Sequence, residues 1–506
     1  MKDGNDHMLM ADARSWGLYS AAIIGFIVFA QVMQWPMFPF FIDIYYHLSV
    51  MKGFAAAGGY VTHAFWEYAP FGRPHLYPPL FHLFLLILYK LGLSVITVAR
   101  SANFLMPIIM LSSIWFVARR LLNSRIAFFA LLIASSVYSF YLATITTIPA
   151  MLAMICGLFG YYFVERRRPV AALTCMIACF YLHLVVPWVM GAALLLYGLL
   201  ERQKRKECFI AVAGGITAAT PLLYHQLRNL PFLSTHTVAQ DLCLEINLLL
   251  CLSAVIGIIY VLRQKGCYRY FTALFVISIP FAWMHPYRYF GGEGVFALIF
   301  LGALGVESVF SYLQKNFHRF IFTGTAIILF FMVSPTLMID RGSPKFVPVN
   351  STFSNSVFGD SYYTHSFLRS VYNEKRYGQV VSVVNKSSAE DEILFSNNAF
   401  FVGIVGAITG RATSTAMFHE VRPLIVFDRI AAARLIVWAK NPENLTQEPL
   451  EIIEKYKLEK IADTELAFIY RNNNTVSRRH IPPPFVPEMI AYALIGITII
   501  AGVILK

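Results

Sequence analysis

Between Pro36 and Pro79 the chain reads PMFPFFIDIYYHLSVMKGFAAAGGYVTHAFWEYAPFGRPHLYPP. Asp43, His47, His63, Glu67, Arg73 and His75 lie there among aromatic residues, more polar groups than a plain connection needs. Carboxylates and imidazoles can move a proton to or from a hydroxyl, and a guanidinium can stabilise a developing anion. Asp43, Glu67 and His75 are therefore the candidate catalytic groups, with Arg73, His47 and Tyr77 as candidate substrate contacts. The alternative for Asp43 is structural, since it precedes a helix-like stretch, Ile44 to Ala57, that an Asp would cap well. Carboxylate and imidazole also suit a divalent metal. No cofactor is demanded by any motif, but Mn, Mg or Zn on Asp43, Glu67 and His75, with His47 in addition, stays open.

Two further places combine charge with a break in an apolar run. His183 lies in CFYLHLVVPWV, between two short apolar halves with Pro187 just beyond. An ionisable group at membrane depth usually faces a cavity or a partner, or bonds a backbone group that the proline frees. The segment HPYRYFGGEG carries His285, Arg288 and Glu293. The planar donor fork of Arg288 suits a phosphate, although Glu293 could pair with it instead.

These residues must be positioned by a membrane protein. Of the 506 residues 58% are hydrophobic and 14% charged, too apolar for a soluble domain. The net charge of +13 comes from clusters between apolar segments, as orientation signals do, so nucleic acid is not an expected partner. The seven cysteines form no CxxC or Cys/His metal spacing.

Apolar runs predict spans at Ser15 to Trp35, Val95 to Ala118, Ile126 to Ala143, Ile148 to Val164, Pro169 to Leu182 and Leu184 to Leu200. More follow at Glu207 to Leu227, Leu244 to Leu262, Tyr268 to His285, Tyr289 to Tyr312, Arg319 to Leu337 and Phe485 to Leu505, about twelve in all. If Leu76 to Lys90 lies along the surface or dips in and returns, the basic clusters from Arg119 to Arg319 all fall inside. The fold class is thus mainly α, a polytopic bundle of about twelve spans plus a juxtamembrane segment, with both termini cytoplasmic. The first loop (36–94), the loop from Arg228 to Cys243 and the His285 to Arg288 turn then share the outer face.

The module 1–337 is followed by 338–484, where GQVVSVVNK, DEILFSNN, RPLIVF, ARLIVWAK, PLEIIEKY and ELAFIYRN alternate strand-like and helix-like patterns. This predicts a small extracytoplasmic α/β domain, before a last transmembrane helix at 485–506. It has neither a GxGxxG nor a GxxxxGK[ST] loop. A cap over the membrane site, or an acceptor-binding module, is the expected role.

The early Asp of FIDIYYH, the later G-x-P-H-x-Y-P-P-L-x-H run, the short broken middle spans, the Arg at an outer turn and the C-terminal polar domain together resemble the GT-C superfamily of membrane glycosyltransferases. Its members include protein O-mannosyltransferases, aminoarabinose transferases and oligosaccharyltransferases. The resemblance implies an inverting glycosyltransferase in the plasma (inner) membrane that takes sugar from a polyprenyl-phosphate carrier and passes it to a glycan, lipid or protein acceptor. It implies the first-loop acid at Asp43 and the donor-phosphate Arg at Arg288, assisted by His285 or His183. The chain departs from the family where Ile44 follows Asp43 in place of a second acid, and WWDYG is absent. Two other classes stay open, a lipid or solute transporter or flippase, and a non-catalytic scaffold whose outer domain binds a partner.

Overall fold

A computed structural model of the chain describes residues 2–39, 41–234, 244–313, 315–340, 342–358, 374–440, 448–474 and 477–504. The predicted loop to Cys243 beyond Ser234, and parts of the 338–484 region, lie outside the described residues.

The protein is mainly helical. Among the described residues five helices are long and apolar enough to cross a membrane, and eight more apolar helices are shorter. The count of about twelve full spans is not what the helix lengths give. In order come α1 (Lys2–Gln34), α2 (Asp43–Ala57), α3 (Leu80–Lys90), α4 (Val95–Leu121), α5 (Ser124–Ser136), α6 (Tyr138–Thr146), α7 (Ile148–Glu165) and α8 (Pro169–Leu182). Then follow α9 (Val186–Leu200), α10 (Arg205–Arg228), α11 (Leu248–Leu262), α12 (Tyr268–Ser278), α13 (Pro280–Met284), α14 (Pro286–Gly291), α15 (Glu293–Tyr312) and α16 (Asn316–Ile327).

Several expected spans are divided. The run from Ile126 to Ala143 breaks into α5 and α6 at Val137, whose extended backbone pairs with Ser351. The run from Tyr268 to His285 breaks before Pro280, which opens α13 where its missing N–H costs nothing. Leu244–Asn247 is a strand, not the start of a span; it pairs antiparallel with Thr336–Asp340, and Asn247 caps α11 by accepting from Leu250 N. α3, with 11 residues, is shorter than a crossing needs.

The C-terminal α/β unit holds a five-stranded mixed sheet in the order Leu458–Asp463, Ala467–Asn472, Leu435–Ala439, Ile393–Phe395, Ala412–Thr413. GQVVSVVNK lies in the helix Glu374–Ser387, where Val380 and Val384, one turn apart, face the sheet's core. RPLIVF forms no strand: it is loop, with Leu424, Ile425 and Val426 exposed.

Inside the bundle α11 and α15 cross with their backbones almost touching. A β-carbon on Gly257 would stand 1.8 Å from Leu301 O, and one on Gly305 would stand 2.0 Å from Ser253 O. Small residues allow such approach where no hydrophobic gain separates helix from lipid. Gly257→Ala should therefore lower stability by about 1–3 kcal/mol through overpacking. Gly25→Ala, at a position with nothing within 4 Å, should leave it unchanged; thermal unfolding in detergent distinguishes the two.

Candidate active site

α2 begins at Asp43, and Ile42 occupies the N-cap position without a side-chain hydrogen bond. Asp43 is thus not the cap, although its charge sits where the helix dipole favours an anion. Asp43, Tyr46 and His47 share one face of α2 through their i, i+3, i+4 spacing. On that face Tyr77 meets His47 with ring centroids 5.2 Å apart and Tyr46 at 6.2 Å, and it reaches His183 at 6.1 Å. Arg288 acts electrostatically on Asp43, Tyr77 and His183, which places these four groups around one locus. Burial pushes the Asp43 carboxyl up to about 7, with Arg288 pulling it down and Glu420 adding to the rise.

Arg288 pairs with Glu293 at 3.3 Å. His183 Nδ1 accepts from Val185 N and Val186 N, both at 3.2 Å, and so caps the start of α9 just before Pro187. The acceptor role of Nδ1 assigns the proton to Nε2. His285 holds the turn between α13 and α14, its carbonyl accepting from Arg288 N and Tyr289 N.

The other half of the first loop does different work. Glu67 and Arg73 form an ion pair of 2.5 Å with both side chains about 95% buried. Arg73 Nη1 also donates to Phe418 O at 2.8 Å and Val421 O at 3.0 Å, and Glu67 Oε1 accepts from Met417 N at 3.1 Å. These bonds join the first loop to the C-terminal unit. His75 is 1% exposed, and neither ring nitrogen has a partner among the described residues. It packs edge-on against Phe54, Tyr60, Trp66 and His82. Burial above all holds its imidazole neutral, with the pKa down to about 3. His47 Nδ1 lies 2.9 Å from His82 Nε2, and burial brings His47 down to about 3.

The metal set of Asp43, Glu67 and His75 does not fit. Glu67 is committed to Arg73 and a backbone amide, and His75 is sealed among rings. Among the described residues no three His, Cys, Asp or Glu side chains converge as metal ligands.

No family profile matches the sequence, and no curated protein matches it by sequence. Solved structures do match. ArnT from Cupriavidus metallidurans in the apo state superposes with a TM-score of 0.57 at 12% identity, covering 92% of this chain and 99% of that one. The same protein bound to undecaprenyl phosphate gives 0.51 at 14% identity, covering 86% and 98%. The Archaeoglobus fulgidus oligosaccharyltransferase, in complex with Zn and sulfate, gives 0.54 at 11% identity, covering 89% and 73%.

The chain has the GT-C fold. Within that GT-C frame the residues that sequence reasoning missed are Tyr46, His82 and Glu420. His82 ends the G-x-P-H-x-Y-P-P-L-x-H run, and Tyr46 follows Asp43 at helical spacing. Glu420 gives no local signal. It is brought in by a loop that Arg73 clamps, with Phe418 against Tyr46 at 5.7 Å and His419 Nδ1 at 3.0 Å from Tyr68 Oη.

The clamp is testable. Arg73→Met should leave Glu67 buried and unpaired and cost about 3–5 kcal/mol, whereas Glu67→Gln combined with Arg73→Met should recover part of the loss. Unfolding in detergent measures both.

Proposed function

We propose that this chain is a membrane glycosyltransferase that moves a sugar from a polyprenyl-phosphate carrier to an acceptor on the outer face. Support comes from two sides. ArnT, which shares the fold, has been solved with undecaprenyl phosphate, and the Archaeoglobus oligosaccharyltransferase with dolichol-phosphate. The observation that carries the reading is that the Arg288 guanidinium acts electrostatically on Asp43, Tyr77 and His183 together, while Tyr77 packs against Tyr46, His47 and His183.

In this reading an acceptor hydroxyl oxygen attacks the anomeric carbon of the donor from the face opposite the phosphate. The bond from that carbon to the phosphate oxygen breaks, and the electron pair leaves with the lipid phosphate. Asp43 takes the acceptor's proton, and the guanidinium of Arg288 stabilises the leaving phosphate. His183 would present its Nε2–H as a further donor, and the configuration at the sugar inverts. Orientation follows the basic clusters: both termini cytoplasmic, the first loop and the 338–484 unit extracytoplasmic.

Incubation with polyprenyl-phosphate sugars should release polyprenyl phosphate. Asp43→Asn should slow this by about 10²–10⁴-fold, and Arg288→Ala by about 10²–10³-fold, with the protein still inserted. Full activity in Asp43→Asn would remove the carboxylate from the mechanism.

The pH dependence has a definite sign. The competent base is the carboxylate, so kcat/KM should rise with pH through a midpoint near 7, the value to which Asp43 is pushed. Glu420→Gln removes one of the influences that raise it and should move the midpoint below that of the wild type. A midpoint in the usual carboxylate range, or one that Glu420→Gln leaves in place, would show that Asp43 is not the titrating base.

A further inference from the structure

Away from Asp43 and Arg288, a cleft opens where α2, the C-terminal unit and the segment before the last helix meet. Ser49, Lys52, Trp66, Gly410, Arg411 and Arg479 line it; about 230 Å³ of free space lies between them when the open solvent at its mouth is counted. No carboxylate is among its lining residues. Lys52 stands nine positions after Asp43 on α2, about 13 Å along the helix axis.

The three cations come from different parts of the chain and converge on Gly410. Arg479 Nη1 donates to Gly410 O at 2.7 Å, and a β-carbon on Gly410 would lie 3.7 Å from Lys52 Nζ. Lys52 is held from the other side by Tyr89 Oη at 3.1 Å. Arg411 is 9% exposed and anchored by Ser388 O, Thr409 O and Asn385 Oδ1. Yet Nε of Arg411, Nε of Arg479 and Nε1 of Trp66 are buried N–H donors without a partner among the described residues.

Leaving such donors unmet is costly, and gathering like charges adds to the cost. Glu390 acts on both guanidiniums, Glu392 on Arg411 and Asp391 on Arg479, but Asp391 is already paired with Arg478 at 2.7 Å and Glu392 with Arg434 at 3.4 Å. Burial above all lowers the pKa of Arg479, against the pull of Glu390 and Asp391, and the neighbouring charge of Arg411 adds to the lowering. An anion in the cleft would meet the donors and offset the repulsion together.

We propose that this cleft is a binding site for a compact oxyanion of the phosphoryl type, seated by Lys52, Arg411 and Arg479 and separate from the Asp43–Arg288 locus. A bare phosphate and the headgroup of a phospholipid share this chemistry. Tyr89 of α3 steadies Lys52 at the cleft. The site stands independently of glycosyl transfer.

The test is equilibrium binding to the full chain in detergent, using inorganic phosphate and short-chain phosphatidic acid as probes, with the matching diacylglycerol as the uncharged control. One or both phosphoryl probes should bind, and the diacylglycerol should not. Lys52→Gln and Arg479→Gln should each weaken binding about tenfold or more, and Asp43→Asn should bind as the wild type does. Lys52 lies near the surface with one side-chain partner, so its variant keeps the test sound if Arg479→Gln fails to fold. Binding of phosphate assigns a free-anion site, and binding of phosphatidic acid alone assigns a headgroup site. Absence of both, or affinity indifferent to Lys52→Gln, overturns the proposal.

Discussion

The buried ion pair between Glu67 and Arg73 is the constraint from which the rest of the site follows. Two charges cannot be taken out of water unless further hydrogen bonds complete them. Here those bonds come from Phe418 O, Val421 O and Met417 N, 345 to 350 residues further along the chain. The first loop cannot bury its charges without the C-terminal unit in place. Backbone bonds reinforce the seam: Thr413 N to Trp66 O at 2.9 Å, Ala69 N to Thr413 O at 3.0 Å and Leu424 N to Gly72 O at 3.1 Å.

From that seam the placement of the reactive face follows. With the 417–424 loop held down, Phe418 packs on Tyr46 and the charge of Glu420 reaches Asp43. The Asp43 carboxyl is thereby set between opposing influences, burial and Glu420 favouring the neutral form and Arg288 the charged one. A base held near neutrality is suited to proton transfer at the operating pH. Where the sequence has Ile44 beside Asp43, the nearby acidic charge comes instead from Glu420 of the C-terminal unit.

How much of this could be read from the sequence depends on the range of the interaction. The bounds of α8, Pro169 to Leu182, follow from a proline at its first position and a polar break after it, both local. Asp43, His47, Tyr77, His183 and Arg288 were all candidates by type and setting, and the fold draws them together. Glu67, Arg73 and His75 had equal claims by type, but type does not reveal that an Arg faces two carbonyls or that an imidazole is walled in by four rings. The break at Val137 was hidden inside an unbroken apolar run, because its cause is a pairing with Ser351. RPLIVF reads as a strand by its β-branched core, yet the sheet holds no place for it.

The account stands on Asp43 and Arg288 serving one head group, and a structure determined with polyprenyl phosphate bound addresses this most directly. The account predicts the phosphate within hydrogen-bond distance of the Arg288 guanidinium, its ester oxygen facing the side from which Asp43 approaches. A phosphate seated elsewhere, with Arg288 still turned to Glu293 and Asp43 out of reach of the anomeric position, would contradict it.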